Sequence, residues 1–168
     1  IGEPTMSQAR EKIIRNRTRL LLDRANPMSG FYATILLGFD GEKLIETNTY
    51  PSGRKCDTMG TDGIRLYFNP DFTLSLSDAE CIGTLVHECC HPILRHHTRR
   101  GNRDPREWNI CADYAENPLI LAQGYKLPAG ALVNPEYAGL SAEDIYYLRN
   151  RPQPANPDPQ EPEDSDES

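Results

Sequence analysis

The sequence predicts an α+β fold: a small sheet packed on a helix bearing His87-Glu88-Cys89-Cys90-His91, with a second helix crossing it. Three observations predict it. The H-E-x-x-H run lies in a capped stretch with apolar residues at helical spacing. Short strand-like segments precede it. A second capped stretch, opening at Asp104, carries acidic side chains along one face.

Residues 6–24 read as a helix. Met6, Ala9, Ile13, Ile14, Leu20 and Leu21 form its apolar face; Arg10, Lys12, Arg15, Arg17 and Arg19 make the remainder basic. Such a helix suits a membrane surface or an acidic partner, but a packed helix with a solvated outer face is the commoner case and is preferred. Asn26-Pro27-Met28-Ser29-Gly30 breaks it. Phe31 to Leu37 is apolar and partly β-branched and reads as a buried strand. Asp40-Gly41 is a hairpin signal, and Lys43 to Tyr50 a second strand. Pro51 to Gly63 reads as a loop, and Ile64 to Phe68 as a third strand closed by Asn69-Pro70. An edge of such a sheet can pair with an extended peptide.

Ser77-Asp78-Ala79-Glu80 is a capping box that starts the central helix. Ile82, Leu85, Val86, Cys89, Ile93 and Leu94 supply its apolar surface. Residues four apart face the same way, so His87 and His91 can bind one Zn²⁺. Glu88, rotated by about 100°, reaches a metal-bound water rather than the metal, the place of a general base. Pro92 has no N–H for the Glu88 carbonyl, so a kink is expected just after the motif. His96 and His97 read as a basic helix end with Arg95, Arg99 and Arg100, stopped by Gly101-Asn102. His97 does fall at the third-His position of the pattern H-E-x-x-H-x-x-G-x-x-H, but Leu94 stands where its turning Gly belongs.

The second helix opens with Asp104 as N-cap, Pro105 at the first helical position and Glu107 at the third. Trp108, Cys111, Ala112 and Ala115 form its core stripe; Asn109, Asp113 and Asn117 share a neighbouring face. A catalytic zinc usually has three protein ligands and a water. Asp113 is the first candidate for the third ligand, Glu116 and His97 are its rivals, and Asn117 can orient the ligands.

Taken together, the blocks Thr61-Asp62-Gly63, Leu66-Tyr67-Phe68-Asn69-Pro70, His87-Glu88-Cys89-Cys90-His91, Arg95-His96-His97, Trp108-Asn109, Ala112-Asp113-Tyr114 and Asn117-Pro118 resemble a known family. It is the metallopeptidase domain at the N-terminus of bacterial and phage proteins that carry a von Willebrand factor A-like domain. The resemblance spans roughly residues 5–150. It implies a zincin-like core, His87, His91 and Asp113 as metal ligands, Glu88 as catalytic acid/base, and an AAA+ ATPase or A-like domain as a partner. Two departures stand out: Glu116 occupies a position that is usually apolar in the family, and no A-like domain follows within these residues.

The five cysteines form no C-x-x-C pair and read as reduced, mostly buried thiols. Cys56, in the loop, is the most reactive candidate, and Cys90 can approach the metal from one side. Leu127-Pro128-Ala129-Gly130 reads as a turn in a loop-rich stretch beyond Pro118, and Ser141 starts a last helix to about Arg149. Tyr114, Tyr125 and Tyr137 are candidate oxyanion donors, but packing in the core or at its rim is the commoner role and is preferred for each. The chain carries a net charge of −7, but six acids lie beyond Pro152 with no Lys or Arg. Residues 1–151 are therefore near neutral, which argues against a nucleic-acid partner. The Pro-rich acidic stretch 152–168 reads as a disordered tail beside a folded domain at 1–151. No apolar run spans a bilayer and no signal peptide is evident, so a cytoplasmic location is expected; the start at Ile1 suggests a processed or trimmed end. The expected activity is zinc-dependent hydrolysis of a protein or peptide substrate. The alternative is a metal-stabilised interaction module.

Overall fold

The structure is a computed structural model that describes residues 6–152. The expected acidic tail falls outside them, apart from Pro152. Helix α1 (Gln8–Leu22) is N-capped by Ser7, which accepts from the Arg10 N–H. It buries Ala9, Ile13 and Leu20, as its periodicity predicts. Part of its basic face is used internally: Arg15 and Asn16 reach Asp78 at 3.1 and 3.0 Å, and Arg17 reaches Asp40 at 3.4 Å.

Helix α2 (Ser29–Leu37) stands where a strand was expected. Ser29, Tyr32, Ala33 and Leu36 are buried at spacings of i, i+3, i+4 and i+7, and they pack between α1 and the later helix α4 (Asp78–Ile93). β-Branching at Thr34 and Ile35 pointed to a strand; tertiary packing overrides that weak preference. Asp40-Gly41 makes no hairpin either. Gly41, at φ 57°, opens a 3-10 turn that leads into β1 (Leu44–Glu46), much shorter than the expected Lys43–Tyr50 strand.

The sheet has the order β1-β3-β2. Strand β3 (Leu66–Phe68) is fully buried and lies in the middle, parallel to β1 with Leu44 opposite Leu66. Strand β2 (Met59–Thr61) rises from the stretch expected to be a loop and runs antiparallel to β3, with Met59 opposite Phe68. Among the described residues the outer edge of β2 pairs with no strand. Asn69-Pro70, expected only to close the third strand, also caps α3 (Pro70–Ser75): Asn69 accepts from the Phe72 N–H, and Pro70 sits at the helix start.

Helix α4 (Asp78–Ile93) begins with both halves of the Ser77–Glu80 capping box. Leu85, Val86 and Cys89 are fully buried in the main core, and burial of a Leu or Val side chain stabilises by about 1.5–3 kcal/mol. Pro92 sits in the last turn and the helix stops at Ile93 rather than kinking and continuing. Arg95 then takes a left-handed conformation, φ 54°, which turns the chain into the four-residue helix α5 (His96–Arg99).

Helix α6 (Pro105–Ala122) has the predicted Asp104 cap, accepting from the Glu107 N–H, but runs on through Pro118 to Ala122. Helix α7 (Ala142–Asn150) is capped by Ser141 and Asp144. It packs on α6 in a small second core of Trp108, Ala112 and Ala142, with Arg99–Glu143 and Arg149–Glu107 pairs at its rim. Among the described residues no helix is long and apolar enough to cross a membrane.

Candidate metal centre

Helices α4 and α6 pack against each other and bring His87, His91, Asp113 and Glu116 together, one potential donor atom from each lying within 4.8 Å of the rest. The His87 and His91 Nε2 atoms are 3.2 Å apart. Asp113 Oδ1 is 3.6 Å from the first and 3.5 Å from the second. A tetrahedral ion with bonds of about 2.0–2.2 Å separates its ligand atoms by roughly 3.3–3.6 Å. The triangle His87 Nε2, His91 Nε2 and Asp113 Oδ1 has nearly those edges.

The outer hydrogen bonds favour the same use of both rings. Asn117 Nδ2 donates to the Leu132 carbonyl at 2.9 Å, which turns its Oδ1 toward the His87 Nδ1–H at 2.8 Å. His91 Nδ1 meets His96 Nδ1 at 3.3 Å. With the Nδ1 protons used there, each ring, once His87 gives up its extra proton, turns a bare Nε2 lone pair toward the other. Two ring nitrogens and a carboxylate oxygen at these distances need positive charge among them, which the His87 proton or a metal in its place supplies. The donor set fits a divalent metal: two imidazoles oriented by outer partners, with an adjacent carboxylate.

Charges in the site are strongly perturbed. Burial alone would lower the His87 pKa, but Glu116, Glu88 and Asp113 outweigh it and raise the ring to about 10. Burial, with His87 and His96 nearby, lowers His91 to about 4 and keeps it neutral. Burial raises Glu88 to about 7 against the pull of His87, with Glu116 and Asp113 adding to the rise. Burial likewise raises Asp113 to about 6. Glu116 goes the other way: burial is outweighed by His87 and His91, which hold it near 2.

The cluster lines a cleft of about 790 Å³. Glu88 is 4% exposed and lines that cleft beside His87 and His91. Asn109, Asp113 and Asn117, predicted to share one face of α6, all reach the cleft wall. Tyr50, the edge strand β2 and a wall formed by the stretch Leu127 to Leu132 also line it. Gly83 on α4 makes that wall possible, because a Cβ there would lie 1.8 Å from the Lys126 carbonyl oxygen.

Of the rival ligands, Glu116 joins the cluster, whereas His97 is exposed on the cleft rim. His96 is the residue the sequence reading missed. It is 3% exposed, faces His91, and its carbonyl accepts from the Trp108 Nε1–H at 2.7 Å. The clue was Pro92, which ends the helix early enough for the chain to return. All five cysteines are buried. Cys56 is among them at 0% exposure, which corrects its expected reactivity: Asn69 Nδ2 donates to its carbonyl at 3.0 Å and ties its loop to the start of α3. Cys90 lies outside the donor cluster, its thiol raised to about 12 by burial. None of Tyr114, Tyr125 and Tyr137 lines the cleft. Tyr114 and Tyr137 pack edge to face at 5.2 Å, and the Tyr125 hydroxyl bonds Ser29.

Comparison with curated proteins and with solved structures gives no match. A family model described as "Putative metallopeptidase domain" matches residues 41–163, which include the sheet, both site helices and every residue of the cluster. The chain belongs to that metallopeptidase domain family.

Proposed function

We propose that this protein is a zinc-dependent peptidase with a zincin-like core, in which His87, His91 and Asp113 hold the metal and Glu88 is the general acid/base. The observation that carries this reading is the near-tetrahedral triangle of His87 Nε2, His91 Nε2 and Asp113 Oδ1 opening on a cleft that also holds Glu88. A divalent cation held there by His87, His91 and Asp113 would supply Lewis-acid chemistry, acidifying a water and polarising the scissile carbonyl. Glu88 supplies the proton transfers: raised toward neutrality by burial, it takes the water's proton and hands it to the leaving amine. Asn117 orients His87, and His96 orients His91. The free edge of β2 bounds the cleft and suits an extended peptide, which its backbone would hold across the metal.

The test is Glu88→Gln. The variant keeps its metal and loses peptide cleavage; cleavage that survives contradicts the assignment. A second reading, a metal-stabilised module that docks an AAA+ ATPase or A-like domain, has one observation in its favour. Glu116 adds a fourth possible donor, and closed four-ligand sites are usually structural. Zinc content with no cleavage of any peptide in a broad library would favour that module.

A further inference from the structure

Among the described residues, the Glu116 carboxylate oxygens are the fully buried side-chain atoms without a hydrogen-bonding partner. The side chain is 0% exposed, and neither carboxylate oxygen accepts a hydrogen bond. Oε1 is 2.9 Å from His87 Nδ1, but that N–H is aligned with Asn117. Oε2 is 3.3 Å from His96 Nδ1, which is aligned with His91. With a metal bound in place of the His87 proton, the rings cannot satisfy it. Once His87 and His91 present bare Nε2 atoms to a metal, each has one N–H, and Asn117 and His96 take them. A carboxylate this deep needs a cation.

Geometry supplies the place. From His91 Nε2, the other donors lie at 3.2 Å (His87 Nε2), 3.5 Å (Asp113 Oδ1) and 3.5 Å (Glu116 Oε1), so Glu116 is as near to that ring nitrogen as Asp113 is. We propose that Glu116 is a fourth protein donor, so the metal is held by two imidazoles and two carboxylates. This rests on the metal reading above and extends it. Two carboxylates match the charge of a divalent ion, so a buried centre carries no net charge. Glu116 comes from the interior, whereas Asp113 and His91 keep 29% and 23% of their side chains exposed on the cleft side. A fourth donor from the interior therefore leaves the cleft side open, since zinc in peptidases can expand to five ligands.

The experiment is zinc affinity by chelator competition on the purified chain, for wild type, Glu116→Gln and Asn117→Ala. Loss of a residue that only orients a ligand typically weakens metal binding about 10–100-fold. That range is expected for Asn117→Ala, and a loss beyond it for Glu116→Gln. A Glu116→Gln loss of 100-fold or less overturns the donor assignment while leaving the metal site intact. Wild type that binds no zinc overturns the metal reading itself. If Glu116→Gln does not fold, a crystal structure of the zinc-loaded wild type decides. A Glu116 oxygen at about 2.0–2.2 Å from the ion supports the proposal, and one beyond bonding distance overturns it.

Discussion

At the scale of single residues, function depends on how α4 and α6 distribute protons. Surrounding carboxylates hold His87 protonated up to about pH 10, and burial holds Asp113 protonated up to about pH 6. A metal takes only the deprotonated groups, so zinc must displace the His87 proton at neutral pH. Affinity should therefore rise with pH, by about tenfold per unit between roughly 6 and 10 for one proton released. Calorimetry in buffers of different ionisation enthalpy checks this at pH 7.5; an affinity flat from pH 7 to 9 contradicts it. Much of this chemistry is legible in the sequence. The spacing of His87, Glu88 and His91 requires only a helix, and Asp113 and Asn117 follow from a second one. His96 is legible only in part: Pro92 announces an early helix end, but the return depends on a left-handed Arg95, a conformation that a non-glycine residue seldom adopts.

At the scale of elements, the capped helices are the ones the sequence specifies. Ser77–Glu80, Asp104–Glu107 and Ser141–Asp144 all appear where the residues place them, because capping is a contact within four residues. Ser77→Ala should lower stability by about 0.5–2 kcal/mol, read as a drop in the melting temperature. Strand β2 and helix α2 depend on distant partners. Met59 to Thr61 becomes a strand because β3 lies beside it, and Phe31 to Leu37 a helix because α1 and α4 receive its buried stripe. The contact of Gly83 with Lys126 belongs to the same class. Gly83→Ala pushes a methyl into the Lys126 backbone carbonyl, so α4 and the 127–132 wall must separate. We expect a loss of about 1–3 kcal/mol, and a raised KM with unchanged metal content. An unaltered KM would show that this wall does not contact substrate.

At the scale of the whole molecule, the proposed metal joins α4, which is built into the main core, to α6, which carries the second. An ion that binds only the folded chain adds stability by mass action, about 4 kcal/mol at a thousandfold excess over Kd. For a domain of this size that corresponds to roughly 8–16 °C in melting temperature. Chelation should lower the melting temperature by an amount of that order, and zinc should restore it. A melt indifferent to chelator would mean that no ion links the two helices.

The most direct measurement compares wild type with Glu88→Gln in two readouts, zinc per chain and cleavage of an extended peptide. The account predicts one zinc per chain in both, with kcat in the variant lower by about 10²–10⁴-fold, the usual contribution of general acid–base catalysis. A wild type without metal, or a variant that still cuts at the wild-type rate, would contradict it.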